Sequence, residues 1–261
     1  MRFVPAPRHL SAHVLGVAVL RTQAQQVVPT PAHALAIFTL VHRGTVHGAG
    51  AGALLGQGSA AHARIVVAGP GTVCASLLCR ASVLPLLTGE PASQFAGGAV
   101  PPGLLGLDAQ ALQDRLGNNP CDAALAAALF APLDRALRAA RAPRSSAVRF
   151  AGALAGWAHG GGTRAPVDWS ERQWQRACQA ELGVTPVFLQ RLNRLHASVR
   201  GRMAHSGEPL AQHAQRAGFF DQAHMAREYR LLMGTAPRDG VARATGMALG
   251  SRELAPRFFS N

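Results

Sequence analysis

Arginine and glutamine recur at helical spacing in two short stretches of the chain. One holds Arg172, Gln173, Gln175 and Arg176, and the other Gln222, Arg227 and Arg230 with Ala223 and Ala226 between them. Guanidinium and carboxamide groups are planar and present paired hydrogen-bonding atoms that match the edges of bases, so both faces suit DNA. The stretches belong to two copies of one 17-residue unit, Ser170–Pro186 and Asp221–Pro237, at an offset of 51 residues. The copies share a cap (Ser170, Asp221), an arginine (Arg176, Arg227), a glycine (Gly183, Gly234) and a proline (Pro186, Pro237).

Each copy reads as a short helix with both ends specified. A helix start leaves backbone N–H groups unpaired, and Ser170 or Asp221 can accept from them. Ser170 and Gln173 have the spacing of a capping box, while Trp169/Trp174 and Phe220/Met225 stand where a hydrophobic staple forms. Apolar residues then recur every three or four positions, as Trp174, Ala177, Cys178 and Leu182 in one copy and Met225, Tyr229, Leu232 and Met233 in the other. Gly183 and Gly234 are placed to end the helices in the left-handed conformation, and the prolines beyond stop their resumption.

The chain of 261 residues is long enough for two domains, each with a core. Its net charge of +13 is carried by arginine alone, since lysine is absent. Arginine favours bidentate contacts with phosphate and guanine, although genomic base composition produces the same bias. The four cysteines, Cys74, Cys79, Cys121 and Cys178, are too few for a disulfide scaffold, and reduced thiols are expected. Cys74 and Cys79 with His42, His47 or His62 fit no common zinc spacing. The stretch His13 to Leu20 is too short to span a bilayer, so no membrane association and a cytoplasmic location are expected. No nucleophile elbow, paired metal ligands or nucleotide loop is visible, and the chain is read as non-enzymatic, without cofactor or metal.

Residues 1–106 read as a β-rich domain, a small barrel or sandwich, from apolar runs at Val14–Leu20, Leu35–Val41, Ala63–Val67 and Thr72–Leu78 separated by turn residues. The glycine-rich stretch His47–Gly58 lacks the ending of a phosphate loop and reads as a hairpin connection. Residues 107–142 form a helical connector, Leu107–Leu116 and Cys121–Ala142. In the second, Leu125, Leu129, Leu133 and Leu137 make a stripe with two open uses, a homodimer contact or packing on its own domain. A linker follows at 143–146, and an all-helical domain occupies 147–240. It begins with a helix at Phe150–Ala158 and contains one long helix, Val187–Ala204, between the two units. Glu208–Ala217 and Gly218 supply the helix and turn ahead of the second unit, which completes a helix-turn-helix. A tail, 241–261, has no assigned role.

The C-terminal third resembles the DNA-binding domain of the AraC/XylS family of bacterial transcription regulators. The resemblance is carried by 170–176, by Gly183-Val184-Thr185-Pro186, by 218–229 and by Gly234 with Pro237. The N-terminal half is faintly similar to the sensor domains of some members. The resemblance implies an α+β chain: a sensor-like β-rich domain, then two helix-turn-helix motifs joined by a long helix that read adjacent major grooves of double-stranded DNA. Carried over by position, the DNA-contacting residues are Arg172, Gln175, Arg176, Gln222, Ala223, Ala226 and Arg227. Arginine would bond guanine, glutamine adenine, and alanine would touch a thymine methyl. It also implies transcriptional activation through RNA polymerase; the signal acting at the N-terminal domain is unknown, with a small-molecule effector as one candidate. The family's supporting helix for the first motif is replaced here by 160–167, rich in helix breakers. This departure motivates an alternative, a small-molecule or protein-interaction module with a degenerate DNA-binding domain.

Overall fold

The structure is a computed structural model that describes residues 1–140, 149–154, 157, 162, 164–166, 168–205 and 207–239. The linker at 143–146 and the tail at 241–261 lie outside the described residues.

Seven strands build the N-terminal region: β1 (Arg2–Pro5), β2 (Val14–Arg21), β3 (Gln26–Thr30), β4 (Leu35–Arg43), β5 (Leu54–Gln57), β6 (Arg64–Ala68) and β7 (Val73–Arg80). They form an antiparallel five-stranded sheet in the order β1-β2-β7-β4-β5 and a two-stranded ribbon, β3-β6. The stretch 47–58 ends in β5, the second strand of a hairpin with β4, as its turn residues suggest.

Side chains alternate across the sheet. Val17, Val19, Phe38, Leu40, Ala75 and Leu77 point to one face, where they share a core with Leu125, Leu129, Leu133 and Leu137. These leucines lie on α3 (Asp122–Ala139), which follows α1 (Val83–Thr88) and α2 (Ala109–Leu116). The leucine stripe is therefore spent inside the chain, at ~1.5–3 kcal/mol for each leucine buried. It leaves no apolar face on α3 for a second copy. The opposite face of the sheet looks toward the ribbon.

The C-terminal region is helical. After a helical stretch at 149–154 come α4 (Glu171–Leu182), α5 (Pro186–Ala204), α6 (Leu210–Arg216) and α7 (Gln222–Met233). Helix α5 has 19 residues and is about 28 Å long at the usual rise. Helices α5, α6 and α7 pack on one another, and α4 packs on α5, on α1 and on the turn Ala92–Phe95. One buried cluster holds Phe3, Ala18, Ile37 and Leu78 of the sheet together with Trp174, Leu189, Tyr229 and Leu232 of the helices. Among the described residues no helix is long and apolar enough to cross a membrane.

Candidate nucleic-acid interface

Both units of the repeat are capped helices. In α4, Ser170 Oγ accepts from the Gln173 N–H at 3.2 Å and the Gln173 side chain accepts from the Ser170 N–H at 2.8 Å, a closed capping box. In α7, Asp221 Oδ1 accepts from the His224 N–H at 2.6 Å, and His224 Nδ1 accepts from the Phe220 N–H at 3.3 Å. His224 is thus half of a reciprocal cap. Gly183 and Gly234 close the two helices with φ of 68° and 69°.

Arg172, Gln175 and Arg176 of α4 are exposed, as are Gln222, Ala223 and Arg227 of α7, while Ala226 is half-buried. Gln179 is also exposed one turn beyond Gln175 and extends the α4 face. Arg191 of α5 and Glu228 of α7 form a two-bond ion pair, both at 2.9 Å, which fixes the second face against the long helix.

Two expectations for the flanks change. Phe220 does not staple α7: it is 88% exposed, and Phe219 turns inward instead, its ring edge-on to His224 at 5.6 Å. The preceding residue, Gly218, has φ of 77°, and this sharp turn decides which of the adjacent phenylalanines faces the core. Trp169 does pack edge-on to Trp174, at 6.0 Å. Between 162 and 170 the described residues contain no helix, and α4 is supported by rings, two of them from helical residues that precede this segment. Phe150 and Trp157 both lie 5.6 Å from the Trp174 ring.

The C-terminal ends of α4 and α7 rest on the N-terminal region. Last-turn carbonyls have no partner within a helix. Here the Ala32 N–H donates to Leu232 O at 2.7 Å and the Ala63 N–H to Leu231 O at 2.9 Å. Ser59 Oγ donates to Gly183 O at 3.3 Å. A Cβ on Gly183 would stand 2.8 Å from Ala92 O, so only glycine suits both the turn and this approach. No motif announces these contacts, because two of the three donors are backbone amides.

His33 sits at this junction and exchanges backbone bonds with Ala60. Burial, helped by the charge of Arg64, pushes its pKa down from 6.5 to about 4. The folded state therefore holds it neutral where the unfolded chain would protonate it. Its stabilising contribution is complete above about pH 6.5 and is lost as pH falls toward about 4, to a total on the order of 3 kcal/mol. Urea midpoints between pH 7 and 4 should fall, and His33→Asn should flatten that slope. An unchanged slope would show that His33 is not the group responsible. Part of the acid loss will persist through His196, pushed down to about 3 by burial and by Arg200.

Residues 166–243 match a family model described as a helix-turn-helix domain. The C-terminal region is an AraC-type helix-turn-helix domain. No curated protein matches the sequence. The chain is similar to crystal structures of ToxT from Vibrio cholerae. The O395 protein is 12% identical with a TM-score of 0.42, over 88% of this chain and 98% of that one. A further crystal form gives 10% and 0.40 over 87% and 97%. Fatty-acid-bound ToxT from strain SCE256 gives 11% and 0.38 over 88% and 95%.

Proposed function

We propose that the chain is a sequence-specific DNA-binding transcriptional regulator, an activator controlled by a small molecule at its N-terminal region. The observation that carries the reading is a pair of capped helices, α4 and α7, with outward polar faces, joined by the single long helix α5. Arg172, Gln175 and Arg176 would read one groove segment, and Gln222, Ala223, Ala226 and Arg227 the next. The second face carries two alanines, so it reads fewer bases by hydrogen bonding and more by contact with thymine methyls. Activation through RNA polymerase rests on the resemblance of both motifs to AraC/XylS regulators.

Genomic fragments selected by the purified chain provide the test. On such a fragment, Arg176→Ala and Arg227→Ala should each cost ~1–3 kcal/mol of binding and relax the preference at one base pair. A loss spread equally over all sequences would reassign that arginine to phosphate. Retention of no fragment above random DNA at moderate salt would sink the regulator reading and favour an interaction module.

A further inference from the structure

The sheet face turned toward the ribbon encloses a cavity of about 160 Å³. Its walls are largely apolar, including Leu20, Ile37, Leu55, Val66 and Leu78. Thr39 Oγ1 and Ser76 Oγ lie 2.8 Å apart on its floor, joined by a hydrogen bond on neighbouring strands. No arginine and no carboxylate is among the described residues that line it. Met1 and His47, which also line it, are exposed and mark its open side. At the floor, away from Met1 and His47, a charged group would lose its hydration without gaining a counter-charge. A cavity of this size, by the same measure, takes a molecule of roughly one aromatic ring.

The strands around the cavity run straight into the contacts that hold α4 and α7. Thr30 lines the cavity at the end of β3, and Ala32, two residues on, donates to Leu232 O. Gln57 lines it at the end of β5, and Ser59, two residues on, donates to Gly183 O. Val66 lines it on β6, and Ala63, just ahead of that strand, donates to Leu231 O. The His33–Ala60 bridge ties two of these strand ends together.

We infer that the cavity binds an uncharged, ring-sized, largely apolar molecule with one hydroxyl or comparable polar group, and that its occupancy sets how firmly both candidate DNA-reading helices are held at their C-terminal ends. The inference deepens the regulator reading by naming the effector class and the route of control. The hydroxyl pair Thr39/Ser76 receives the polar group. A ligand wedged between sheet and ribbon fixes the three strand ends, and with them the last turns of α4 and α7.

Benzyl alcohol and benzoate, which share a ring and differ in charge, are the probes, and the full chain is titrated with each by calorimetry without DNA. Benzyl alcohol should bind and benzoate should bind at least tenfold more weakly. Equal binding, or binding of neither, overturns the ligand class. Thr39→Val keeps the shape and should weaken benzyl alcohol severalfold without weakening toluene; Val66→Trp should abolish both, and retention of either ligand at full affinity moves the site elsewhere. For the route, hydrogen exchange at the Ala32 and Ala63 amides should slow about tenfold with ligand at ten times its dissociation constant. Unchanged exchange at both amides under saturating ligand overturns the coupling. Slowed exchange in a chain that selects no DNA fragment would leave the cavity assignment standing and remove the regulator reading alone.

Discussion

Replacing Trp174 with alanine should cost ~3–5 kcal/mol of folding stability and empty the first motif of its support. The side chain is 1% exposed, and the rings of Phe150, Trp157 and Trp169 surround it at 5.6, 5.6 and 6.0 Å. In an ordinary helix-turn-helix a second helix would hold the reading helix. Here the described residues between 162 and 170 carry none, and the helical stretch before them reaches α4 through Phe150 and Trp157, so the indole they clasp is the keel on which α4 rides. Trp174→Phe is the informative control: the indole Nε1 has no hydrogen-bond partner among the described residues, so phenylalanine removes an unsatisfied buried donor while keeping most of the packing. Urea denaturation of the full chain should place the phenylalanine variant within ~1.5 kcal/mol of the parent. An alanine variant equally close would show that the aromatic cluster does not carry the motif, and that contacts of α4 with Ala92–Phe95 hold it instead.

The helix-turn-helix region was legible because its signals are local. Ser170 with Gln173, Asp221, Gly183 and Gly234 each act within one turn of their own helix, and each does what its residue type suggests. The leucine stripe of α3 likewise revealed a helix but left its partner open, since an apolar face fits a sheet or another copy equally well. That partner is the sheet, whose strands β2 and β7 pair across some fifty residues of chain that no local pattern connects. The choice between Phe219 and Phe220 depended on a backbone rotation at Gly218, which periodicity does not resolve. The candidate reading faces were accessible from helical spacing alone, apart from Gln179. Their attachment to the N-terminal region was not, because an amide of Ala32 or Ala63 is chemically indistinguishable from any other until the fold sets it against an orphan carbonyl.

His213→Ala should cost ~3 kcal/mol and loosen the second motif specifically. Its Nε2 lies 2.8 Å from Ser198 Oγ of α5, that hydroxyl lies 2.8 Å from the Tyr229 hydroxyl of α7, and its Nδ1 lies 2.9 Å from Glu208 Oε2. Arg216 bonds the same Glu208 oxygen at 2.6 Å and holds the carboxyl below its ordinary range, with His213 adding to the effect against the cost of burial. A carboxylate, an imidazole and a serine hydroxyl in a row is the arrangement that activates a nucleophile in hydrolases. Ser198 is fully enclosed, however, and its hydroxyl is shared with Tyr229, so the row ties three helices instead of meeting a substrate. Removing the imidazole strips a partner from both Ser198 and Glu208, leaves a void between α5 and α6, and frees the angle at which α7 is presented. Tyr229→Phe, which deletes one hydroxyl and no packing, should cost ~1 kcal/mol. A double-mutant cycle of Ser198→Ala with His213→Ala should give a coupling energy of ~0.5–3 kcal/mol. Additive losses would mean that the Ser198–His213 bond does not couple α5 to α6, leaving the Ser198–Tyr229 bond and the Arg191–Glu228 pair as polar ties between α5 and α7 that orient the second reading face.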